Sequence, residues 1–232
     1  MSQRFPTGPT GRSTTAASTA TADRQQALAT NRLIRNTYGL LALTLAFSAL
    51  TAGFAVLSDA PRLNIFIVLG GFFGLLFLTQ YLRNSIWGLA SVFALTGFMG
   101  FTLGPIINFY LGLPNGGQTV MTAFGGTAAI FIGLSAYALI SRRDFSFMRG
   151  FLFAGILVAF LAALAAYFLQ MPNLSLAVSV MFMVLMSGLI LYQTSELVNG
   201  GETNYIMATV TLYIAIYNLF LSLLQLLGLA SD

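Results

Sequence analysis

Tyr205–Leu229 reads YIMATVTLYIAIYNLFLSLLQLLGL, and no Asp, Glu, Lys, Arg or His falls between Glu202 and the C-terminal Asp232. A bilayer's hydrocarbon core is about 30 Å thick and takes roughly 20 apolar residues of helix to cross. This run is long enough. Its polar residues are not scattered: Thr211, Ala215, Asn218, Ser222 and Gln225 recur at helical spacing and share one face. Amides left facing hydrocarbon are costly, so that face is expected to turn towards other helices. Such a helix is surrounded by neighbours, its polar face either tying helices together or lining a cavity.

Working outward, six more apolar runs of spanning length precede it: Tyr38–Leu57, Leu63–Leu82, Ile86–Leu111, Thr119–Ile140, Phe151–Leu169 and Leu174–Gln193. The breaks combine polar residues with helix breakers, as in Ser58-Asp59-Ala60-Pro61-Arg62, Pro114-Asn115-Gly116-Gly117 and Asn199-Gly200-Gly201-Glu202. Gly104-Pro105 is expected to kink the third run near its end. The fold class that follows is an all-α membrane protein, a bundle of seven transmembrane helices over residues 37–232.

Composition agrees. Hydrophobic residues make up 57% of the chain and charged ones 7%, against about 25% charged in an ordinary soluble domain. The net charge of +4 comes from loop and tail arginines and describes no nucleic-acid patch. Cysteine, histidine and lysine are absent. Disulfides, thiolate chemistry, imidazole bases and lysine Schiff bases are therefore excluded, together with the usual zinc ligands.

Residues 1–36 differ in kind, being rich in Ser, Thr, Ala, Gly and Pro with scattered Arg. They are expected to form a largely disordered tail, with Asp23–Asn36 able to extend as a helix into the first span. No continuous apolar segment precedes Tyr38, so a cleavable secretory signal is not expected. Arginine sets the orientation. The tail, Arg83, Arg142, Arg143 and Arg149 fall on one side, and Arg62 alone on the other. The N-terminus is expected in the cytoplasm and the C-terminus on the far side.

No ionisable Asp, Glu, Lys, Arg or His sits at mid-membrane depth, which argues against a pump or voltage sensor. Clusters at Gly70, Gly71 and Gly74, at Gly97, Gly100 and Gly104, and at Gly125, Gly126 and Gly133 suit close helix packing. Intramembrane proteolysis would need Ser with His, paired Asp or His ligands, and none can be assembled. Neither glycine pair belongs to a phosphate-cradling loop. No catalytic residue, cofactor or metal ligand set is assigned, and the chain is not expected to be an enzyme. Glu196 and Glu202 stand at the arginine-rich end of the last two helices. Glu202 suits either a helix cap or a weak cation or partner contact.

Three stretches of the C-terminal third carry a resemblance: Leu185–Ser195 (LMSGLILYQTS), Asn199–Ile206 (NGGETNYI) and Leu212–Phe220 (LYIAIYNLF). Arg35-Asn36-Thr37-Tyr38, Gly125-Gly126-Thr127-Ala128 and Arg142-Arg143-Asp144-Phe145-Ser146-Phe147 support it. Together they resemble the signature of the Bax inhibitor-1 family, in order from about Asn31 to the end. The resemblance implies seven helices with the last one central, ringed by the other six. It also implies a bacterial inner-membrane protein that binds and modulates the FtsH protease with its HflK/HflC regulators, N-terminus cytoplasmic and C-terminus periplasmic. The cytosolic tail would give the protease a handle. Other family members are described as pH-sensitive calcium leak channels with an aspartate pair joining the last two helices. Those positions fall at Gln193 and Ala215. An amide cannot titrate and a methyl group does not bind cations, so a cation leak is the alternative function. Candidate functional residues are Gln193, Glu196, Glu202, Asn204 and Asn218.

Overall fold

A computed structural model describes residues 12–229, with side-chain placement at Gln25 and from Ala27 onward. The chain forms helices α1 (Arg12–Leu57), α2 (Ile65–Leu82), α3 (Trp87–Leu111), α4 (Gly116–Ser141), α5 (Arg149–Phe168), α6 (Pro172–Asn199) and α7 (Tyr205–Leu229). A short 3-10 turn, Ser146–Met148, precedes α5. Each of the seven contains a segment long and apolar enough to cross a bilayer. The ends follow local chemistry. The Asn64 side chain accepts from the Phe66 N–H at 2.9 Å to start α2, Pro172 opens α6, and Gly200 closes it at φ 81°.

The tail, expected to be largely disordered with Asp23–Asn36 able to extend as a helix into the first span, is helical from Arg12. No Gly or Pro interrupts Arg12–Tyr38, alanines favour helix, and an existing span removes the nucleation cost. Leu33 and Ile34 already pack on the core; residues 1–11 lie outside the described ones. The sixth helix continues past Gln193 to Asn199 and carries Glu196 in its last turn. The third helix runs unbroken through Pro105.

α7 is the axis of the bundle. Leu212, Tyr213, Ala215, Leu219 and Leu224 are buried along its length. It packs directly on α1, α3, α4 and α6 rather than on all six others. α2 lies outside α3 and α5 outside α6, and Thr79 is the one buried residue of α2. α1 and α3 make the closest approach. A methyl group added at Gly100 would strike the Ser48 carbonyl, and one at Gly104 would strike Ala55. By contrast, Gly70, Gly74, Gly125 and Gly133 have no neighbour within 4 Å of where a side chain would start. The expected tight packing therefore holds in α3 and fails for most glycines of α2 and α4.

Interactions sort the loops to two ends. At one end Asn204 reaches the α2–α3 turn, Ser195 holds the α4–α5 segment, and the start of α1 flanks Thr203. At the other, Asn108 bonds Asp59 at 2.8 Å and Arg62 lies 4.8 Å above the Phe109 ring. Arg83, Arg142, Arg143 and Arg149 thus share the end where residues 27–36 of α1 lie. Exposed Tyr81, Trp87 and Phe147 lie near that end and Phe109 and Tyr167 near the opposite one, as expected for aromatic residues at two membrane surfaces.

Candidate functional site

Polar side chains along α7 and its neighbours form tiers. At the arginine-rich end, Asn204 precedes α7 and accepts from the N–H groups of Ile206 and Met207 at 3.0 and 3.1 Å. Its amide also donates to the Arg83 carbonyl at 3.1 Å and to Asn84 Oδ1 at 3.0 Å. Asn204 is therefore both a helix cap and a clamp between two loops. Glu202 Oε1 accepts from the N–H groups of Thr203 and Asn204, each at 2.8 Å, which braces the loop ahead of α7 while Asn204 caps the helix. The Glu196 carboxylate packs against Gly201, where a side chain would collide with it.

The α4–α5 segment is held at the same end. Ser195 Oγ donates to the Arg143 carbonyl at 2.9 Å and accepts from the Phe145 N–H at 3.1 Å. Asn199 Nδ2 supports both partners, at 3.3 Å from the carbonyl and 3.1 Å from the hydroxyl. Asp144, outside the spans, accepts from the Ser146 N–H at 2.8 Å. That bond and the Ser146 hydroxyl hold its carboxyl below the ordinary aspartate range.

Deeper lie Thr37, Tyr38, Ser135, Gln193, Thr194 and Thr209, all but Tyr38 buried. Tyr38 Oη is 3.2 Å from Thr194 Oγ1. At mid-bundle Tyr213 Oη donates to the Thr96 carbonyl at 3.2 Å and lies 2.6 Å from Ser48 Oγ. The Tyr213 proton is committed to the carbonyl, so Ser48 donates to Tyr213. By the same logic, Thr102 donates to the Met99 carbonyl at 2.7 Å and receives the Tyr217 proton at 3.3 Å. Near the far end Gln225 bridges α7 to α6, donating to Ser175 Oγ at 2.7 Å and accepting from Ser179 at 2.6 Å.

Asn218 behaves differently. Its amide donates to the Ile214 carbonyl of its own helix at 2.9 Å. It lines a lateral cleft of about 420 Å³ between α2 and α5, walled by Phe73, Phe98, Phe153 and Phe160, with Tyr217 beside it. A second cleft of about 570 Å³ opens between α1 and α4, and Tyr213 and Tyr217 line it as well. Of the two readings of the polar face, Gln225 fits helix bonding and Asn218 fits cavity lining. The sequence-predicted residues are not one site. Glu196, Glu202 and Asn204 meet at the arginine-rich end, Gln193 sits one tier deeper, and Asn218 lies beyond mid-bundle. Ser195, Asn199, Tyr213 and Tyr217 were not among them; the spacing of four between Tyr213 and Tyr217 on a polar-striped helix is a signal that could have found the pair.

Among the described residues no group of three or more His, Cys, Asp or Glu could hold a metal ion. Gln193 and Ala215 are buried and carry no titratable group.

These features define an all-helical, seven-span membrane protein organised around its last helix. The family model described as inhibitor of apoptosis-promoting Bax1 matches residues 30–232, and the chain belongs to this family, the Bax inhibitor-1 family. An uncharacterised protein of Pseudomonas aeruginosa is 59% identical over 198 residues, covering 85% of this chain and 89% of the relative. The Escherichia coli K12 protein named modulator of FtsH protease YccA is 49% identical over 209 residues, covering 90% and 95%. An uncharacterised membrane protein of Vibrio cholerae is 42% identical over 215 residues, covering 92% and 96%.

Proposed function

We propose that this protein is an inner-membrane modulator of the FtsH protease that acts by association rather than by chemistry. The observation that carries the reading is the similarity to the E. coli modulator, 49% identical and aligned over 95% of that protein's length. The absence of histidine, cysteine and lysine supports a binding role. HflK/HflC belong to the same proposed assembly. The arginine-rich end faces the cytoplasm in this reading, because short loops retaining Arg stay on that side, and the C-terminus is then periplasmic.

The part offered to the protease is the N-terminal segment, residues 1–30. Helix α1 runs well beyond the bundle, and Gln25, Leu28 and Ala29 are exposed. An exposed helix with few tertiary contacts opens at low free energy, so it can serve as a handle when pulled. Occupying FtsH in this way limits degradation of other membrane proteins. Deleting residues 1–30 is expected to lengthen the protein's half-life in FtsH-containing cells; unchanged turnover removes the handle. Affinity capture from detergent-solubilised membranes, with FtsH and HflK/HflC quantified, tests the association itself. A pH-gated cation leak would require titrating groups where Gln193 and Ala215 stand, which favours the binding reading.

A further inference from the structure

Among the described residues three buried side-chain polar atoms have no hydrogen-bond partner: Thr37 Oγ1, Ser135 Oγ and Gln193 Nε2. Other hydroxyls in the bundle satisfy themselves on their own helix, as Thr44, Ser91, Thr127 and Ser187 do on carbonyls three or four residues back. The three exceptions come from α1, α4 and α6, and they lie at the level of Tyr38 along the bundle. Thr37 precedes it in the chain. Gln193 precedes Thr194, whose hydroxyl is 3.2 Å from that of Tyr38. Ser135 lies one turn along α4 from Phe131, whose ring centroid is 6.1 Å from that of Tyr38. Polar groups buried without partners are rare because each forfeits its hydration.

A second observation lies directly outside. A pocket of about 510 Å³ opens at the arginine-rich end between the same three helices, lined by Thr30, Asn31 and Ile34, by Leu139 and Arg142, and by Val198. Ile34, Leu139 and Val198 each stand four residues, about one helical turn, from Tyr38, Ser135 and Thr194. The inner rim of the pocket is therefore adjacent to the outer rim of the unpartnered cluster. Arg142 is the charged residue among its walls, and no carboxylate lines it. Thr30, Asn31, Thr37, Ser135 and Gln193 all offer O–H or N–H donors.

We propose that this pocket continues inward as a blind, hydrated vestibule between α1, α4 and α6, ending at Thr37, Ser135 and Gln193. It takes water and small anions in preference to cations. Water at its end supplies the acceptors the three groups need, and the Arg142 guanidinium makes its mouth positive. The inference is independent of any association with a protease, since it concerns hydration within the bundle.

The chain contains no cysteine, so thiol-accessibility measurements need no background removal. Charged methanethiosulfonate reagents attack the thiolate, which forms where water reaches. The full-length protein in lipid nanodiscs, with both faces open, is the sample. Ser135→Cys is expected to react with the anionic sulfonatoethyl reagent at least about tenfold faster than Ile132→Cys, a lipid-facing position on the same helix that is 63% exposed. Leu139→Cys at the mouth is expected to react faster with the anionic than with the trimethylammonium reagent, and Arg142→Gln to remove that preference. Equal rates at positions 135 and 132, or a preference for the cationic reagent, overturn the proposal. Gln193→Leu gives an independent readout. In a dry core it removes an unsatisfied amide and raises the melting temperature, which overturns the proposal; in a hydrated one the melting temperature is unchanged or falls.

Discussion

Ser48 of α1 donates its proton to Tyr213 of α7 across 2.6 Å, and Tyr213 passes its own to the Thr96 carbonyl of α3 at 3.2 Å. One tyrosine hydroxyl thereby joins three helices at the level where α1 and α3 approach most closely. With no water at this depth to replace a lost partner, the chain of bonds holds α7 in rotation as well as in depth. Tyr213→Phe is expected to cost about 1 kcal/mol, seen as a lower melting temperature in detergent. In a double-mutant cycle with Ser48→Ala the coupling should be about 0.6 kcal/mol and at most about 1.7 kcal/mol. Strictly additive effects would mean that the two hydroxyls do not interact.

The glycines separate into two populations, and substitution should expose them. Gly100→Ala and Gly104→Ala must push α3 away from Ser48 and Ala55. Each should cost about 1–3 kcal/mol through overpacking. Gly74→Ala and Gly133→Ala meet nothing within 4 Å and gain helix propensity worth up to about 1 kcal/mol. They should leave thermal stability unchanged or raised. The same loss at all four positions would contradict the contrast in packing.

Much of the architecture was legible from the sequence because lipid demands runs of fixed length, and the gaps between them hold Pro, Gly and Arg. The seven helices fall where those runs fall. The N-terminal extension is legible only in part: Ser- and Thr-rich composition suggests a largely disordered tail, while the lack of any breaker between Arg12 and Tyr38 lets α1 reach beyond Asp23 to Arg12. Glycine spacing shows that a face is small, not which neighbour it meets, so α2 and α4 looked as tightly packed as α3. The bonds of Glu202 to Thr203 and Asn204 are local, whereas the clamp from Asn204 to Arg83 and Asn84 joins residues far apart in sequence. The tiers of Gln193, Asn204 and Asn218 follow from their places along α6 and α7, whereas what each side chain faces depends on helix rotation, which composition does not encode.

Asn204 does two jobs that substitutions can separate. Asn204→Asp keeps the oxygen that accepts from Ile206 and Met207 but loses the donor to Arg83 and Asn84. Asn204→Ala loses both. The alanine variant should be destabilised by about 1–2 kcal/mol as a lost cap. The aspartate variant should retain most of the melting temperature while hydrogen exchange speeds up in the α2–α3 turn. Equal exchange in that turn for wild type and Asn204→Asp would remove the clamp.

Asp144 contributes a pH-dependent term of definite sign. Its folded pKa is lowered by the Ser146 N–H and hydroxyl, so the folded state holds its proton less tightly than the unfolded state does. The resulting stability is present above the unfolded value of about 3.9 and is lost as pH falls through the lowered folded value. Asp144→Asn keeps an acceptor oxygen and removes the charge. The variant should melt below wild type at pH 7, and the gap should close as the buffer is taken below pH 4. A gap that widened on acidification would reverse the sign of the argument.

Gln225 and Asn218 are both amides on α7, two turns apart, yet their bonds run in different directions. Gln225 joins α7 to α6 through Ser175 and Ser179. Asn218 bonds only the Ile214 carbonyl of its own helix and faces the cleft between α2 and α5. Gln225→Leu therefore removes both α6–α7 bonds, leaving Ser179 its bond to the Ser175 carbonyl, and should cost about 1–2 kcal/mol. Asn218→Leu removes a bond that folding does not require and adds apolar surface to an apolar wall, so its melting temperature should match wild type. If Asn218 matters, it matters for what enters the cleft, and Asn218→Leu should then change FtsH-dependent turnover of other membrane proteins at unchanged fold stability. A collapse in stability on Asn218→Leu would instead make it a packing residue, and the cleft would lose its polar reader.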